Sequence, residues 1–253
     1  MNTYQGLHAR HYDIVYADKP YPDEARFVDS LLLEAGVSRG RLLDVACGTG
    51  RHAAEFASLG WDVTGVDISD ELLERARSNV PGARFVRQDM RELDLPGETF
   101  DAITFLFDSI GYALNDGGVR ATLEAAGRHL ALAGVVALEF LHAPALLRNA
   151  SPLRVRRFQL SDGGDELLRV SRTQIDGPRH VMEVEFELLE LRADGTYERW
   201  LESQANRFFT QHEMSDLIEA AGLRVDRFAP AYRDGDEIDE KTFHVFALAR
   251  REG

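Results

Sequence analysis

Hydrophobic and amphipathic segments alternate along the first 150 residues of the chain. Short apolar segments, typical of strands buried on both faces, occur at RLLDVA (41–46), WDVTGVD (61–67), ARFVRQD (83–89), FDAITFLF (100–107) and GVVALEF (134–140). Spacing near 3.6 residues predicts helices between them, from about Asp23 to Ala35 and over RHAAEFASLG (51–60), DELLERARSNV (70–80) and GGVRATLEAAGRHLAL (117–132). Ser69 is the predicted N-cap of the helix beginning at Asp70. This order predicts an α/β fold with a doubly wound, mostly parallel sheet.

A period of two residues replaces the helical period from about Leu153 to Phe209. The segment VMEVEFELLEL (181–191) predicts a strand with one apolar and one acidic face, made of Met182, Val184, Phe186 and Leu188 against Glu183, Glu185 and Glu187. Turn signals divide the region into about four strands, at Asp162-Gly163-Gly164, Asp176-Gly177-Pro178 and Asp194-Gly195. We therefore predict an inserted antiparallel β-meander. After it, FTQHEMSDLIEAAGLRVDRFAP (209–230) and KTFHVFALARR (241–251) predict one helix and two closing strands.

Composition narrows the class of protein. The 253 residues carry 43 acidic and 29 basic side chains, a formal net charge of −14, which opposes non-specific attraction to nucleic acids or anionic membranes. No apolar run is long enough to cross a bilayer, and the start of the chain lacks the apolar centre of a signal peptide. We therefore expect a cytoplasmic protein without a nucleic-acid or membrane partner. The single cysteine, Cys47, excludes an internal disulfide and a Cys-rich metal site, and we predict no metal site.

A glycine-rich turn follows the first predicted strand. The spacing Gly48-x-Gly50-x-x-Ala53, with Asp67 at the end of the next strand, fits a dinucleotide-binding fingerprint. Asp44 lies four residues before Gly48, where a carboxylate would repel a pyrophosphate but attract a cation. S-adenosylmethionine offers a sulfonium and an ammonium, and its adenosine part can still use Asp67. The residues therefore favour S-adenosylmethionine as the cofactor. The alternative function is an NAD(P)-dependent oxidoreductase. The lack of an obvious Tyr-x-x-x-Lys pair argues against it, as Asp44 does.

Four segments, LLDVACGTG (42–50), VTGVDIS (63–69), FVRQDMREL (85–93) and FDAITFLFDSIGYAL (100–114), together resemble the class I S-adenosylmethionine-dependent methyltransferases. The resemblance implies a Rossmann-like methyltransferase fold, whose seven-stranded sheet has the order 3-2-1-4-5-7-6 with strand 7 antiparallel. It implies that Gly48 and Gly50 contact the methionine part of the cofactor, Asp67 the ribose and Asp89 the adenine, with the Leu106 carbonyl accepting from the amino group. The full set of expected cofactor-binding residues is Tyr12, Tyr16, Asp44, Ala46, Gly48, Gly50, Asp67, Ile68, Asp89, Met90 and Leu106.

Two further segments, HYDIVYADKPY (11–21) and FDSIGYAL (107–114), are similar to the nucleotide-aminosugar N-methyltransferases within that family, as is the inserted meander. In those enzymes an N-terminal tyrosine segment covers the cofactor. Tyr12 and Tyr16 are then expected to form a lid over the sulfonium, since aromatic faces favour positive charge; the alternative is that they anchor the N-terminal segment by packing. The resemblance divides the chain into an N-terminal lid and helix (1–36), a cofactor-binding domain (37–150 and 209–253) and the inserted sheet (151–208).

The expected reaction is methyl transfer to a nitrogen or oxygen of a small-molecule acceptor, with S-adenosylhomocysteine as product. Family geometry implies that the acceptor lies beside the ends of strands four and five, so the candidate catalytic residues are Asp108, Tyr112, Glu139 and His142. An acid there could orient a protonated amine while a base or water removes the proton. A cofactor-binding regulatory protein without catalytic activity is the remaining alternative, because no indispensable catalytic residue is visible.

The meander carries many arginines, among them Arg154, Arg156, Arg157, Arg169, Arg172 and Arg179. One interpretation is a pocket for an anionic group such as a nucleotide diphosphate, because guanidinium groups fit phosphate oxygens. The other is a solvated strand face balanced by neighbouring acids. The meander lies on the substrate side or forms the contact of a possible homodimer, since exposed edge strands commonly need covering.

Overall fold

A computed structural model describes residues 6–161, 164–233, 235 and 237–252. Seven strands form its larger sheet: β1 (Arg41–Val45), β2 (Asp62–Asp67), β3 (Arg84–Arg87), β4 (Phe100–Phe105), β5 (Leu130–Leu141), β10 (Leu223–Pro230) and β11 (His244–Arg251). The strand order is β10-β11-β5-β4-β1-β2-β3, in which β1 to β5 are parallel and β11 is antiparallel to both of its neighbours. The expected order 3-2-1-4-5-7-6 with an antiparallel seventh strand is confirmed.

The described helices are α1 (Gly6–Arg10), α2 (Tyr12–Val15), α3 (Tyr21–Glu34), α4 (Arg51–Ser58), α5 (Asp70–Asn79), α6 (Asp116–His129), α7 (Ala143–Asn149) and α8 (Gln211–Ala220). Of these, α3, α4 and α5 cover one face of the larger sheet, and α6 and α8 cover the other. Adjacent residues of β1 show the two-sided burial: Leu42 packs in the cluster under α3, α4 and α5, whereas Leu43 packs in the cluster under α6 and α8. Ser69 accepts a hydrogen bond from the Leu72 amide, which confirms it as the cap of α5.

The boundary between α6 and β5 differs from the predicted one. The sequence predicts a helix to Leu132 and a strand from Gly134, but the helix ends at His129 and the strand begins at Leu130. Leu130 is fully buried and pairs with Phe100 of β4, ahead of a register irregularity. Pairing with a distant strand therefore overrides the local helical pattern.

The inserted segment forms a second, antiparallel sheet. Its strands β6 (Leu153–Gln159), β7 (Glu166–Asp176), β8 (Val181–Leu191) and β9 (Tyr197–Arg207) pair in sequence order, as predicted. Its inner face packs under α1 and α2, where Leu7 and Val15 contact a cluster with Phe186 and Leu188. The predicted turn at Asp162-Gly163 lies outside the described residues. The second sheet and the N-terminal helices thus lie over the carboxyl ends of the parallel strands.

Long apolar helices of the kind that span a bilayer do not occur in the described part of the chain.

Candidate functional site

The turn after β1 is tied to the end of β2. The backbone N–H of Gly48 donates to Oδ2 of Asp67 at 2.9 Å, and the N–H of Ser69 donates to Oδ1 of the same carboxylate at 2.9 Å. Gly48 has a φ of 56°, and the non-glycine residue Ala46 has a φ of 59°. Left-handed backbone at a residue with a side chain is strained and is common at ligand-binding sites. The two hydrogen bonds to Asp67 therefore tie this left-handed turn to the end of β2.

Asp44 carries a buried carboxylate with one unsatisfied oxygen. Thr104 donates to its Oδ1 at 3.0 Å, but Oδ2 has no hydrogen-bond partner among the described residues. Burial, with a smaller contribution from the negative charge of Asp67, raises the pKa of Asp44 to about 7. Asp44 lines a small cavity that is also lined by Arg51 and Ala46. A buried acceptor without a partner is costly, so this site favours a ligand that brings a donor or a positive charge.

A cavity of about 300 Å³ lies beside the glycine turn. It is lined by most of the expected cofactor-binding residues: Tyr12, Ala46, Gly48, Asp67, Ile68, Asp89, Met90 and Leu106. Asp89 is held by the Arg91 side chain, which lowers the pKa of its carboxyl and keeps it ionised. Ala46 and Leu106 line both this cavity and the small one beside Asp44, so the two spaces are adjacent.

A second cavity, of about 690 Å³, lies between the carboxyl ends of the parallel strands and the inner face of the inserted sheet. Phe107 and Tyr112 line both this cavity and the one beside the glycine turn, so these residues mark the boundary between the two. Tyr16 lines the second cavity, and its ring contacts those of Tyr12 and Phe107, with centroids 4.7 and 5.2 Å away. The rings of Tyr12, Tyr16 and Phe107 therefore lie in a row along the boundary between the two cavities.

Three ionisable side chains cluster where β4 and β5 end and β11 begins. Nδ1 of His244 lies 3.0 Å from Oδ1 of Asp108 and 3.4 Å from Oε1 of Glu139. Glu139 is buried, and its Oε2 accepts hydrogen bonds from the Phe107 amide at 2.6 Å and the Tyr232 hydroxyl at 2.7 Å. Burial raises the pKa of Glu139, and the adjacent Asp108 carboxylate raises it further. Two of the candidate catalytic residues therefore belong to one electrostatic unit.

The structure places two of the expected site residues elsewhere. Gly50 caps α4 with a φ of 73°, and a Cβ at this position would lie 3.1 Å from Cβ of Ala76 and 3.3 Å from the Phe85 ring. Gly50 thus allows α4 to pack against its neighbours and is not part of the cavity lining. His142 is buried, its Nδ1 lies 3.0 Å from the Thr242 carbonyl oxygen, and it lines neither large cavity.

Sequence reasoning missed His244, Tyr232 and Lys19. His244 begins β11 and pairs with Leu141 of β5, which brings it to the carboxyl end of β5. The position of His244 could have been inferred from the expected sheet order, in which an antiparallel strand lies next to strand five. The start of an antiparallel strand meets the end of its neighbour. Lys19 lines the second cavity and lies 4.4 Å from the Phe107 ring centroid, with an ion pair to Glu24.

The arginines of the inserted sheet fall into two sets. Arg157, Arg172 and Arg179 form ion pairs with nearby acids. Arg154, Arg156 and Arg169 line the second cavity instead, and no ion pair links them to an acid in the described ranges. The first set therefore fits the interpretation of a solvated strand face balanced by acids. The anionic-pocket interpretation stays a prediction, and it can apply only to the second set.

Arg169 is the most enclosed of the cavity arginines. It is 9% exposed, and its Nε and Nη1 have no hydrogen-bond partner in the part of the chain that the structure describes. The rings of Tyr16 and Phe186 lie 5.6 and 5.5 Å from its guanidinium carbon. Arg156 is directly opposite on the neighbouring strand, where two like charges repel. An anion between these side chains would satisfy both.

Comparison with known proteins agrees with this geometry. A family model described as a methyltransferase domain matches residues 42–134. A dTDP-3-amino-3,6-dideoxy-alpha-D-glucopyranose N,N-dimethyltransferase of Streptomyces fradiae is 32% identical over 234 residues, 92% of this chain and 89% of the relative. A dTDP-3-amino-3,4,6-trideoxy-alpha-D-glucopyranose N,N-dimethyltransferase of Streptomyces venezuelae is 31% identical, covering 88% of this chain and 92% of the relative. The solved structure of an amino pentose methyltransferase from Micromonospora echinaspora, with S-adenosylmethionine bound, is similar with a TM-score of 0.77 and 29% identity over 99% of both chains.

Proposed function

This chain belongs to the class I S-adenosylmethionine-dependent methyltransferases, and we propose that it methylates the amino group of a nucleotide-linked amino sugar. The family membership rests on the methyltransferase domain match and on relatives above 30% identity across most of both chains. The cofactor is therefore S-adenosylmethionine, as the cation-favouring position of Asp44 predicted. Nothing in the site or among the relatives favours the oxidoreductase or the inactive regulatory protein.

The cavity beside the glycine turn suits this cofactor chemically. Asp67 offers carboxylate oxygens for the ribose hydroxyls, and Asp89 and Met90 offer an acceptor and an apolar surface for adenine. The unpartnered Oδ2 of Asp44 suits the ammonium of the methionine part, and the Arg51 guanidinium in the same small cavity suits its carboxylate. When bound, the cofactor supplies a methyl group already activated on a sulfonium, so the residues of this chain mainly align the acceptor with it.

The arginine-lined cavity is the observation that carries the acceptor assignment. Arg154, Arg156 and Arg169 have no ion pair with the residues that the structure describes, in a chain whose net charge is −14, and they line a cavity adjacent to the cofactor cavity. Guanidinium groups recognise phosphate oxygens through paired hydrogen bonds. A nucleotide diphosphate is an anion of suitable chemistry, and both dimethyltransferase relatives are named for dTDP-linked amino sugars.

The amine end of such an acceptor would lie near the cluster of Asp108, Glu139 and His244. Asp108 lines the second cavity together with Tyr112, which also lines the cofactor cavity. A carboxylate at this position attracts an ammonium group and gives no comparable advantage to a neutral hydroxyl. This favours nitrogen over oxygen as the methylated atom. Asp108 and Tyr112 are therefore proposed to position the acceptor amine.

The direct test compares acceptors that differ only in the nucleotide. Purified protein and S-adenosylmethionine are incubated with dTDP-3-amino-3,6-dideoxyglucose or with the free amino sugar, and S-adenosylhomocysteine and methylated product are measured. We expect turnover with the nucleotide sugar and a kcat/KM at least about 100-fold lower with the free sugar, since charge-assisted contacts to the diphosphate are lost. Equal kcat/KM values for the two acceptors would refute the nucleotide-linked substrate class.

A further inference from the structure

The segment that follows β4 makes a left-handed turn at the boundary between the cavities. Phe107 and Asp108 have φ values of 55° and 56°, and the Ser109 amide donates to the Leu106 carbonyl at 3.2 Å. Two successive positive φ values closed by such a bond are typical of a type I′ turn, which usually has Asn and Gly at these positions. A bulky residue such as Phe107 is strained in this conformation. The turn therefore depends on support from its surroundings.

A buried carboxylate on the neighbouring strand β5 supplies this support. Oε2 of Glu139 accepts a hydrogen bond from the strained Phe107 amide at 2.6 Å and is itself held by the Tyr232 hydroxyl at 2.7 Å. Glu139 is 1% exposed, and the described lining of the three cavities beside the turn does not include it. Its side chain therefore acts through the residues that it contacts.

The bond to Glu139 also fixes the direction of the Leu106 carbonyl. The Phe107 N–H and the Leu106 C=O belong to one planar peptide unit, so holding the N–H sets the direction of the C=O. Leu106 lines the cofactor cavity, where its carbonyl is expected to accept from the amino group of S-adenosylmethionine. Phe107 lines that cavity, the second cavity and the small cavity beside Asp44. One hydrogen bond therefore orients a peptide unit at the point where the three cavities meet.

We propose that Glu139 is a positioning residue, which holds this turn and thereby orients the Leu106 carbonyl toward the cofactor and the Asp108 carboxylate toward the acceptor. The Asp108 half of the turn has further anchors, since its carbonyl accepts from Nδ2 of Asn206 at 3.1 Å and its Oδ1 lies 3.0 Å from Nδ1 of His244. Glu139 holds the other half. The acceptor part of this role rests on the proposed N-methylation, whereas the cofactor part does not.

The test compares the affinity for S-adenosylmethionine, measured by calorimetry, in wild type, Glu139→Gln, Glu139→Leu and the control Asp29→Leu. Asp29 is a buried carboxylate that also has two side-chain partners, Arg39 and Trp61, and the described cavity linings do not include it. Glu139→Gln keeps an oxygen for the Phe107 amide, so its Kd should stay within about threefold of wild type, whereas Glu139→Leu should raise Kd by about 10- to 100-fold. Wild-type affinity in Glu139→Leu, or an equal loss in Asp29→Leu, would overturn the proposal.

A second substitution separates positioning from a general loss of structure. Asp108→Gly introduces a residue that adopts the left-handed conformation without support, and the described lining of the cofactor cavity does not include Asp108. The double variant Glu139→Leu/Asp108→Gly should therefore bind S-adenosylmethionine at least about fivefold more tightly than Glu139→Leu. No gain in affinity would contradict the proposal. Hydrogen exchange of the wild type needs no variant: the Phe107 amide should exchange slowly without ligand, and exchange as fast as in an exposed loop would also overturn the proposal.

Turnover distinguishes positioning from proton abstraction by Glu139. With dTDP-3-amino-3,6-dideoxyglucose, Glu139→Gln should keep kcat within about threefold of wild type, because an amide oxygen can hold the turn but does not take up a proton. A loss of kcat above about 100-fold in Glu139→Gln, with unchanged cofactor affinity, would make Glu139 a base and refute its positioning role. Absence of turnover by wild type, with the expected cofactor affinities, would instead refute the proposed acceptor and leave the positioning of the turn supported.

Discussion

The amide of Gly48 and Oδ2 of Asp67 are joined by a hydrogen bond of 2.9 Å. This contact links the turn after one strand to the acidic end of the next, so the residue that is proposed to bind the ribose also holds the shape of the turn. Asp67 accepts a second bond from Ser69. Loss of the Asp67 side chain should therefore remove the proposed ribose contact and also release the glycine turn from the end of β2.

Replacing Asp67 by Ala should weaken S-adenosylmethionine binding by about 100-fold, roughly 3 kcal/mol, because hydrogen bonds to a charged acceptor are lost. Isothermal titration calorimetry measures the change directly. Asp70→Ala is the matched control, since that carboxylate is exposed at the start of α5 and pairs with Arg87. Equal affinities in the two variants would contradict the role of Asp67.

Cofactor affinity should rise as pH increases from 6 to 8. The pKa of Asp44 is raised to about 7 in the free protein, so at pH 6 the carboxyl is mostly protonated and must lose its proton before it can pair with a cationic ligand. Binding below pH 7 should therefore release a proton, which calorimetry in buffers of different ionisation enthalpy detects. Asp44→Asn should bind more weakly at pH 8 and lose most of this pH dependence. An unchanged pH profile in Asp44→Asn would show that another group is responsible.

The raised pKa of Asp44 should make the folding stability fall with rising pH, whereas cofactor affinity should rise. A carboxyl whose pKa is higher in the folded than in the unfolded state stabilises the fold fully below its unfolded value, near 4, and this contribution disappears as pH rises through about 7. Without cofactor, the wild type should thus lose stability relative to Asp44→Asn between pH 4 and pH 7. Urea unfolding at several pH values measures this difference.

Gly50→Ala should destabilise the fold by about 2 kcal/mol, since the position has a positive φ and the new Cβ would crowd Ala76 and Phe85. The melting temperature should fall by about 4 to 8 °C. Gly82→Ala is the control, because nothing lies within 4 Å of a Cβ built there. A similar melting temperature in both variants would refute the packing role.

Arg169→Met should raise KM for a dTDP-amino sugar by about 10- to 100-fold and leave the affinity for S-adenosylmethionine unchanged, because one charge-assisted contact to phosphate is removed. Steady-state kinetics with both substrates varied separates these effects. Arg172→Met is the matched control, since Arg172 is on the same strand but pairs with Glu185 and Glu187 on the opposite face. A higher KM in the control than in Arg169→Met would contradict the assignment.

The expected homodimer and the absence of a nucleic-acid or membrane partner stay predictions. The outer face and edges of the inserted sheet carry exposed apolar side chains, Leu153, Val155, Tyr197 and Leu201. Light scattering of the purified protein would determine whether these residues are covered by a second copy.

The parallel strands and the grouping of residues around the cavity beside the glycine turn could be predicted because their signals are local. Asp44, Asp67 and Asp89 each end or follow a continuous apolar run, and parallel strands bring such ends to one edge of the sheet. The start of β5 at Leu130 could not be found in this way, since its pairing with Phe100 opposes the helical pattern around it. Local periodicity does not encode contacts with a distant strand.

The acceptor side was less predictable for the same reason. His142 and Glu139 are three residues apart at the end of β5, yet only Glu139 belongs to the cluster with Asp108. Which of them joins this cluster depends on the chain segment around Thr242 and on the position of His244, about 100 residues later. The strand arginines likewise divide between the two faces of the inserted sheet. The N-terminal helices cover one of these faces, and no local sequence pattern reveals which one.

The interior position of β11 has a consequence for protein synthesis. This strand lies between β5 and β10, and its pairing joins Val136–Leu141 to His244–Ala249, more than 100 residues later in the sequence. On the ribosome, β5 therefore keeps an open edge until nearly all of the described chain has emerged, a state in which edge-to-edge aggregation is a risk. The nascent chain can form the glycine turn after β1 early, but His244 joins Asp108 and Glu139 at the edge of the second cavity only when the last strand is inserted.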